Sequence, residues 1–119
     1  MKESQEMARI AYDALDDKKG EDIRIIEITD ISILADYLII ANGTNTSQVQ
    51  ALADSVEESL AKEGHRPRAI EGIRNASWIL MDYNDIIVHV FSKEDRLFYD
   101  LERIWRDGKN IAIDDLLKK

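Results

Sequence analysis

Carboxylates at alternate positions of one strand point to the same side, where a pair can hold Mg²⁺ beside a phosphate and support nucleotidyl transfer. Fragments of that arrangement occur in this chain. Gly43-Thr44 falls at an expected strand-to-helix turn, a position that suits a phosphate. Asp100-Leu101-Glu102 is the sole acidic-x-acidic pattern, but it lies in an expected helix far beyond that turn. Asp82 and Asp85 straddle an expected hairpin turn, where acidic residues are ordinary turn formers. A metal-dependent nucleotidyltransferase-like enzyme is therefore kept only as an alternative, and no catalytic residue is assigned.

Other chemistries have less support. The five glycines stand at positions 20, 43, 64, 72 and 108, a spacing that forms neither a dinucleotide fingerprint nor a Walker loop. His65 and His89 are the only histidines and cysteine is absent, so a zinc site would need carboxylates that are not placed at metal spacing. The same absence removes disulfides and thiol nucleophiles, and no Gly-x-Ser-x-Gly elbow is present. No metal and no cofactor are expected. Binding is what remains.

The segment from Trp78 to Phe91 reads WILMDYNDIIVHVF, a β-hairpin with Asn84-Asp85 as its two-residue turn. Residues that face each other across a hairpin point to the same side. One face then carries Tyr83 with Ile86, Met81 with Val88 and Ile79 with Val90. It is apolar but for a single hydroxyl and is expected to be core. The other carries Asp82 with Ile87, Leu80 with His89 and Trp78 with Phe91, mixing two large aromatics with a carboxylate and an imidazole. This mixed face is read as a contact surface. A covering layer of helix is the alternative, since large apolar residues on a strand are usually core.

These residues need elements to position them. Met7, Ile10, Ala11, Ala14 and Leu15 share one helical face, giving a first helix from about Glu3 to Lys18, with Gly20 marking its end. Ile23 to Ile28 and Asp36 to Ala41 read as strands, separated by Thr29-Asp30 and an Ile31-Ser32-Ile33 link. After the Asn42 to Thr46 turn, Val49, Leu52, Ala53, Val56 and Leu60 form the stripe of a second helix closed by Gly64. Pro67 interrupts before a short extended piece at Arg68 to Ile70, and a loop from Glu71 to Ala76 leads into the hairpin. A third helix is expected from Ser92-Lys93-Glu94-Asp95 through Leu97, Phe98, Leu101, Ile104 and Trp105, with a tail element around Ala112 to Leu117. A strand, the second helix and the next strand allow a parallel pairing beside the antiparallel hairpin. The expected fold class is α/β: a single domain spanning residues 1–119, with a mixed sheet of about five strands flanked by helices.

At 119 residues and 45% hydrophobic, the chain can build one core and is too short for two. A formal net charge of -8 argues against a protein that wraps nucleic acid, because neutralising phosphates requires clustered Lys and Arg. A basic protein partner suits it better. No apolar run approaches the ~20 residues of a membrane span, and MKESQEMARIAYD is an acid-bearing amphipathic pattern rather than a signal peptide. A cytoplasmic protein without membrane contact is the simplest expectation.

With those residues in view, the chain resembles the ribosomal silencing factor family, also called Iojap-like. Asp16-Asp17-Lys18-Lys19 before Glu21-Asp22-Ile23, Asp36-Tyr37, Asn42-Gly43-Thr44 leading to Val49-Gln50-Ala51, and Glu71-Gly72 all match in order. Most specific is Trp78-x-Leu80-x-Asp82-Tyr83-x-Asp85 followed by Val88-His89-Val90-Phe91, then Arg96, Tyr99, Leu101-Glu102 and Trp105. Gly20 stands where the family usually has alanine and Asn84 where it usually has glycine; both suit a turn. The resemblance implies a domain similar to the nucleotidyltransferase fold but lacking its catalytic carboxylates, which acts by binding. It implies a translation repressor that binds a protein on the intersubunit face of the large ribosomal subunit and blocks joining of the small subunit when nutrients are short. The expected contact residues are Trp78, Leu80, Asp82, Tyr83, Asp85, His89 and Phe91, with Arg96, Tyr99 and Glu102 beyond the hairpin. Little direct nucleic-acid contact is expected, and the chain acts as monomer or homodimer. A homodimeric interaction module unconnected with the ribosome is the other alternative.

Overall fold

The apolar stripe of the first segment folds as α1, Lys2–Asp17, in a computed structural model that describes residues 2–29, 35–72, 78–93 and 109–111. Met7, Ile10, Ala11, Ala14 and Leu15 are all buried, as their shared face requires. The end of α1 differs from the expectation. The left-handed residue is Lys19 (φ 61°), and the amides of Lys19 and Gly20 donate to the carbonyls of Asp16 (3.0 Å) and Leu15 (2.8 Å). Gly20 is needed for space instead, since a Cβ there would lie 3.0 Å from the Leu15 carbonyl oxygen.

The strands are β1 (Glu21–Glu27), β2 (Tyr37–Gly43), β3 (Ala69–Glu71), β4 (Trp78–Asp82), β5 (Ile86–Ser92) and β6 (Lys109–Ile111), with helix α2 (Thr46–Lys62) between β2 and β3. They form one six-stranded mixed sheet in the order β3-β4-β5-β2-β1-β6. Among the described residues only β2 and β5 pair in parallel; the other neighbours are antiparallel. The parallel partner of β2 is thus β5 and not β3, the strand that directly follows α2. The three-residue β6, paired with β1, was not anticipated. The expected third helix beyond Lys93 and the tail element lie outside the described residues, and Ser92, expected at that helix start, is instead the last residue of β5.

All seven residues of β2 are buried, which is why its sequence YLIIANG runs apolar without the alternation of a half-exposed strand. Its odd side, Tyr37, Ile39 and Ala41, joins Ile79, Met81, Val88 and Val90 under the apolar stripes of α1 and α2. Its even side, Leu38 and Ile40, joins Ile26, Ile28, Ala35 and Phe91 in a second, smaller cluster on the opposite sheet face. Fully burying one such aliphatic or aromatic side chain contributes roughly 1.5–3 kcal/mol. The helix-covered face therefore dominates stability. Among the described residues no helix is long and apolar enough to cross a membrane.

Candidate functional site

The hairpin expected from WILMDYNDIIVHVF is present, and its register matches residue for residue: Trp78 faces Phe91, Leu80 faces His89 and Asp82 faces Ile87. A two-residue turn leaves little choice of pairing. Asn84 takes the positive φ (72°), and the Asp82 carboxylate accepts from its amide at 2.8 Å. The other oxygen of Asp82 lies 3.1 Å from the Arg68 guanidinium, reached because β3 runs alongside β4. Asp82 is thereby a turn former and the anchor of an ion pair. Gly72 (φ 87°) closes the approach to this edge, for a Cβ there would overlap the carbonyl oxygen of Trp78.

On the mixed face three rings stack. Trp78 lies 5.2 Å from Phe91 and 5.9 Å from His89 between centroids, and its Nε1 donates to His89 Nδ1 at 3.0 Å. His89 is buried, and desolvation pushes its pKa down to about 4, so the imidazole is neutral. The face is not uniformly open. Phe91 and His89 of β5 are buried, whereas Trp78 and Leu80 of β4 and Ile87 of β5 are half-buried, and Ala69 and Glu71 of the neighbouring β3 are exposed. The accessible platform is the β4 side of the face, Trp78 and Leu80, together with Ile87 of β5 near the hairpin turn.

Three of the expected contact residues are buried. Phe91 is core, packed with Ile26, Leu38 and Ile40 because β5 is an interior strand. His89 is a buried acceptor. Tyr83 belongs to the helix-covered face; its hydroxyl is buried without a hydrogen-bond partner among the described residues, and burial together with the nearby Glu57 charge raises its pKa to about 12. Asp85 is half-buried at the turn, where its carbonyl accepts from the Asp36 amide at 2.9 Å. Arg96, Tyr99 and Glu102 lie outside the described residues. The sequence reasoning did not place Arg68 and Glu71 beside the hairpin; the antiparallel pairing of β3 with β4 sets Glu71 opposite Leu80 and brings Arg68 to Asp82, and no local pattern reveals it.

The turn that suggested a phosphate site is occupied from within the chain. Gln48 Oε1 accepts from the Thr44 amide (2.7 Å) and hydroxyl (2.8 Å), and its Nε2 donates to the Lys18 and Lys19 carbonyls. Asn45 caps α2 by accepting from the Gln48 amide at 2.8 Å. The Asn45-x-x-Gln48 spacing signals the local cap but not the reach of Gln48 back to the end of α1. An open groove of about 410 Å³ between α1 and α2 is lined by charges of both signs, partly spent on pairs such as Arg9 with Asp13 (3.2 Å). Among the described residues no three of His, Cys, Asp and Glu gather to hold a metal.

Fold and platform together define a small mixed-sheet α/β protein, with one sheet face sealed by two helices and the other offering an aromatic ledge at its edge. A family model described as "Ribosomal silencing factor during starvation" matches residues 1–119. The chain belongs to this ribosomal silencing factor family, a family of ribosome-associated translation regulators. It is 39% identical to ribosomal silencing factor RsfS of Bacillus subtilis, over 89% of this chain and 90% of that one. With RsfS of Halalkalibacterium halodurans it shares 34% identity over 96% and 97% of the two chains. A crystal structure from Chromobacterium violaceum, 35% identical, superposes with a TM-score of 0.84 over 91% of this chain and 89% of that one.

Proposed function

We propose that this protein binds the large ribosomal subunit through a basic protein on its intersubunit face and so obstructs joining of the small subunit when nutrients are short. The observation that carries the reading is the family match over the whole chain. The platform supports it: Trp78, Leu80 and Ile87 supply apolar area that a partner can desolvate, and Glu71 and Asp85 supply acid at its rim. The net charge of -8 favours a basic protein over direct contact with RNA phosphates. The mechanism is a steric wedge, which needs affinity and bulk and no turnover.

Sedimentation of a lysate containing tagged protein tests this. Co-migration with free large subunits, and fewer joined ribosomes when purified protein is added to separated subunits, are the expected results. Absence from every ribosomal fraction at low salt overturns the proposal. Magnesium-dependent turnover of a nucleoside triphosphate would favour the enzyme alternative.

A further inference from the structure

Trp78 is the largest side chain of the platform, and an aromatic anchor contributes most when its orientation is settled before the partner arrives. Among the described residues two contacts hold it. Phe91 backs the indole from the core side, and His89 Nδ1 accepts its N–H at 3.0 Å. The hydrogen bond has only one possible direction, because an indole nitrogen can donate but not accept. Nδ1 must therefore be bare, and in the neutral ring the proton sits on Nε2. Burial, which pushes the His89 pKa to about 4, keeps that form through the neutral range.

Packing alone does not explain the residue. The position faces Leu80 across the hairpin and is buried, so a leucine or phenylalanine would fill it without the desolvation penalty of an imidazole. What histidine adds is an acceptor at the place where the indole N–H ends. We propose that His89 is a positioning residue for docking: it does not touch the partner, but holds the Trp78 indole in the orientation the partner meets. This rests on the docking role of the platform proposed above.

The test pairs a measurement on the free protein with one on binding, using wild type, His89→Phe and His89→Asn. Phenylalanine keeps a stacked ring and removes the acceptor; the asparagine oxygen falls close to the position of Nδ1. In the free protein, NMR of the indole N–H, assigned through Trp78→Phe, is expected to show a proton protected from exchange in wild type and His89→Asn and released in folded His89→Phe. Binding to purified large subunits should weaken about three- to tenfold in His89→Phe, mostly through slower association, because fewer molecules present the indole correctly. His89→Asn should recover to within about threefold of wild type. An unprotected Trp78 indole in wild type, a folded His89→Phe that binds as well as wild type, or equal losses in both variants overturns the proposal. If the wild type itself does not bind large subunits, the docking role fails, while the indole measurement still decides whether the lock exists.

Discussion

The two faces of one hairpin have opposite fates. Ile79, Met81, Tyr83, Ile86, Val88 and Val90 are all buried beneath the helices, whereas the other face grades from buried Phe91 and His89 to half-buried Leu80, Trp78 and Ile87. Sheet position accounts for part of the grading: Phe91 and His89 lie on β5, an interior strand flanked by β2, while Trp78 and Leu80 lie on β4, which has only the three-residue β3 between it and the edge; Ile87 of β5 is half-buried where it faces Asp82 near the turn. Burial thus divides neighbouring residues of one strand pair into those that hold the fold together and those left available for recognition.

The largest expected effect lies in the buried half. Phe91→Ala should destabilise the protein by about 3–5 kcal/mol and Met81→Ala by about 2–5 kcal/mol, through lost burial and residual cavities. Chemical denaturation reads both. If Phe91→Ala left stability intact while abolishing subunit binding, the mixed face would be open along its whole width and the grading would be wrong.

Next comes pH. The folded pKa of His89, about 4, lies below its free value of 6.5, so between those limits the unfolded chain takes up a proton that the folded chain refuses. The stability contributed is complete above about pH 6.5 and is lost as pH falls toward 4, a full swing of about 3 kcal/mol. Denaturant midpoints of wild type and His89→Phe compared at pH 7 and 4.5 isolate it, because the carboxylates titrate alike in both. Equal pH slopes for the two proteins would show that His89 is not buried as a neutral ring.

On the open half the order of effects reverses. Trp78→Ala should weaken binding to large subunits by about 2 kcal/mol or more while costing less stability than Met81→Ala. Unfolding as easily as Met81→Ala would make Trp78 core and dissolve the comparison. The smallest effect belongs to rim charge. Asp82 is a poor probe, since it holds Arg68 and the turn at once. Glu71→Lys with Asp85→Lys should instead slow association a few-fold at low salt and flatten its salt dependence, with little change in stability. Association unchanged across salt would place the basic partner on another surface.

Much of this was legible along the chain. The hairpin register followed from a two-residue turn and strict alternation, and α1 and α2 from their apolar stripes, with Asn45 capping α2. β6 was not legible, because Lys109-Asn110-Ile111 has no periodicity and is a strand only where β1 offers an edge. Nor was the clasp of Gln48 on the end of α1, which joins residues about thirty positions apart.

The sequence by itself determined which side chains share a face, since that depends on local periodicity and turn chemistry. It also carried the family, through the ordered motifs from Asp16 to Trp105. Only the tertiary structure decided which part of the mixed face stays open. That outcome depends on strand order, on β2 closing over one side of β5 and on β3 carrying Arg68 to Asp82. These are contacts between segments distant in sequence, which leave no period in the chain to be read.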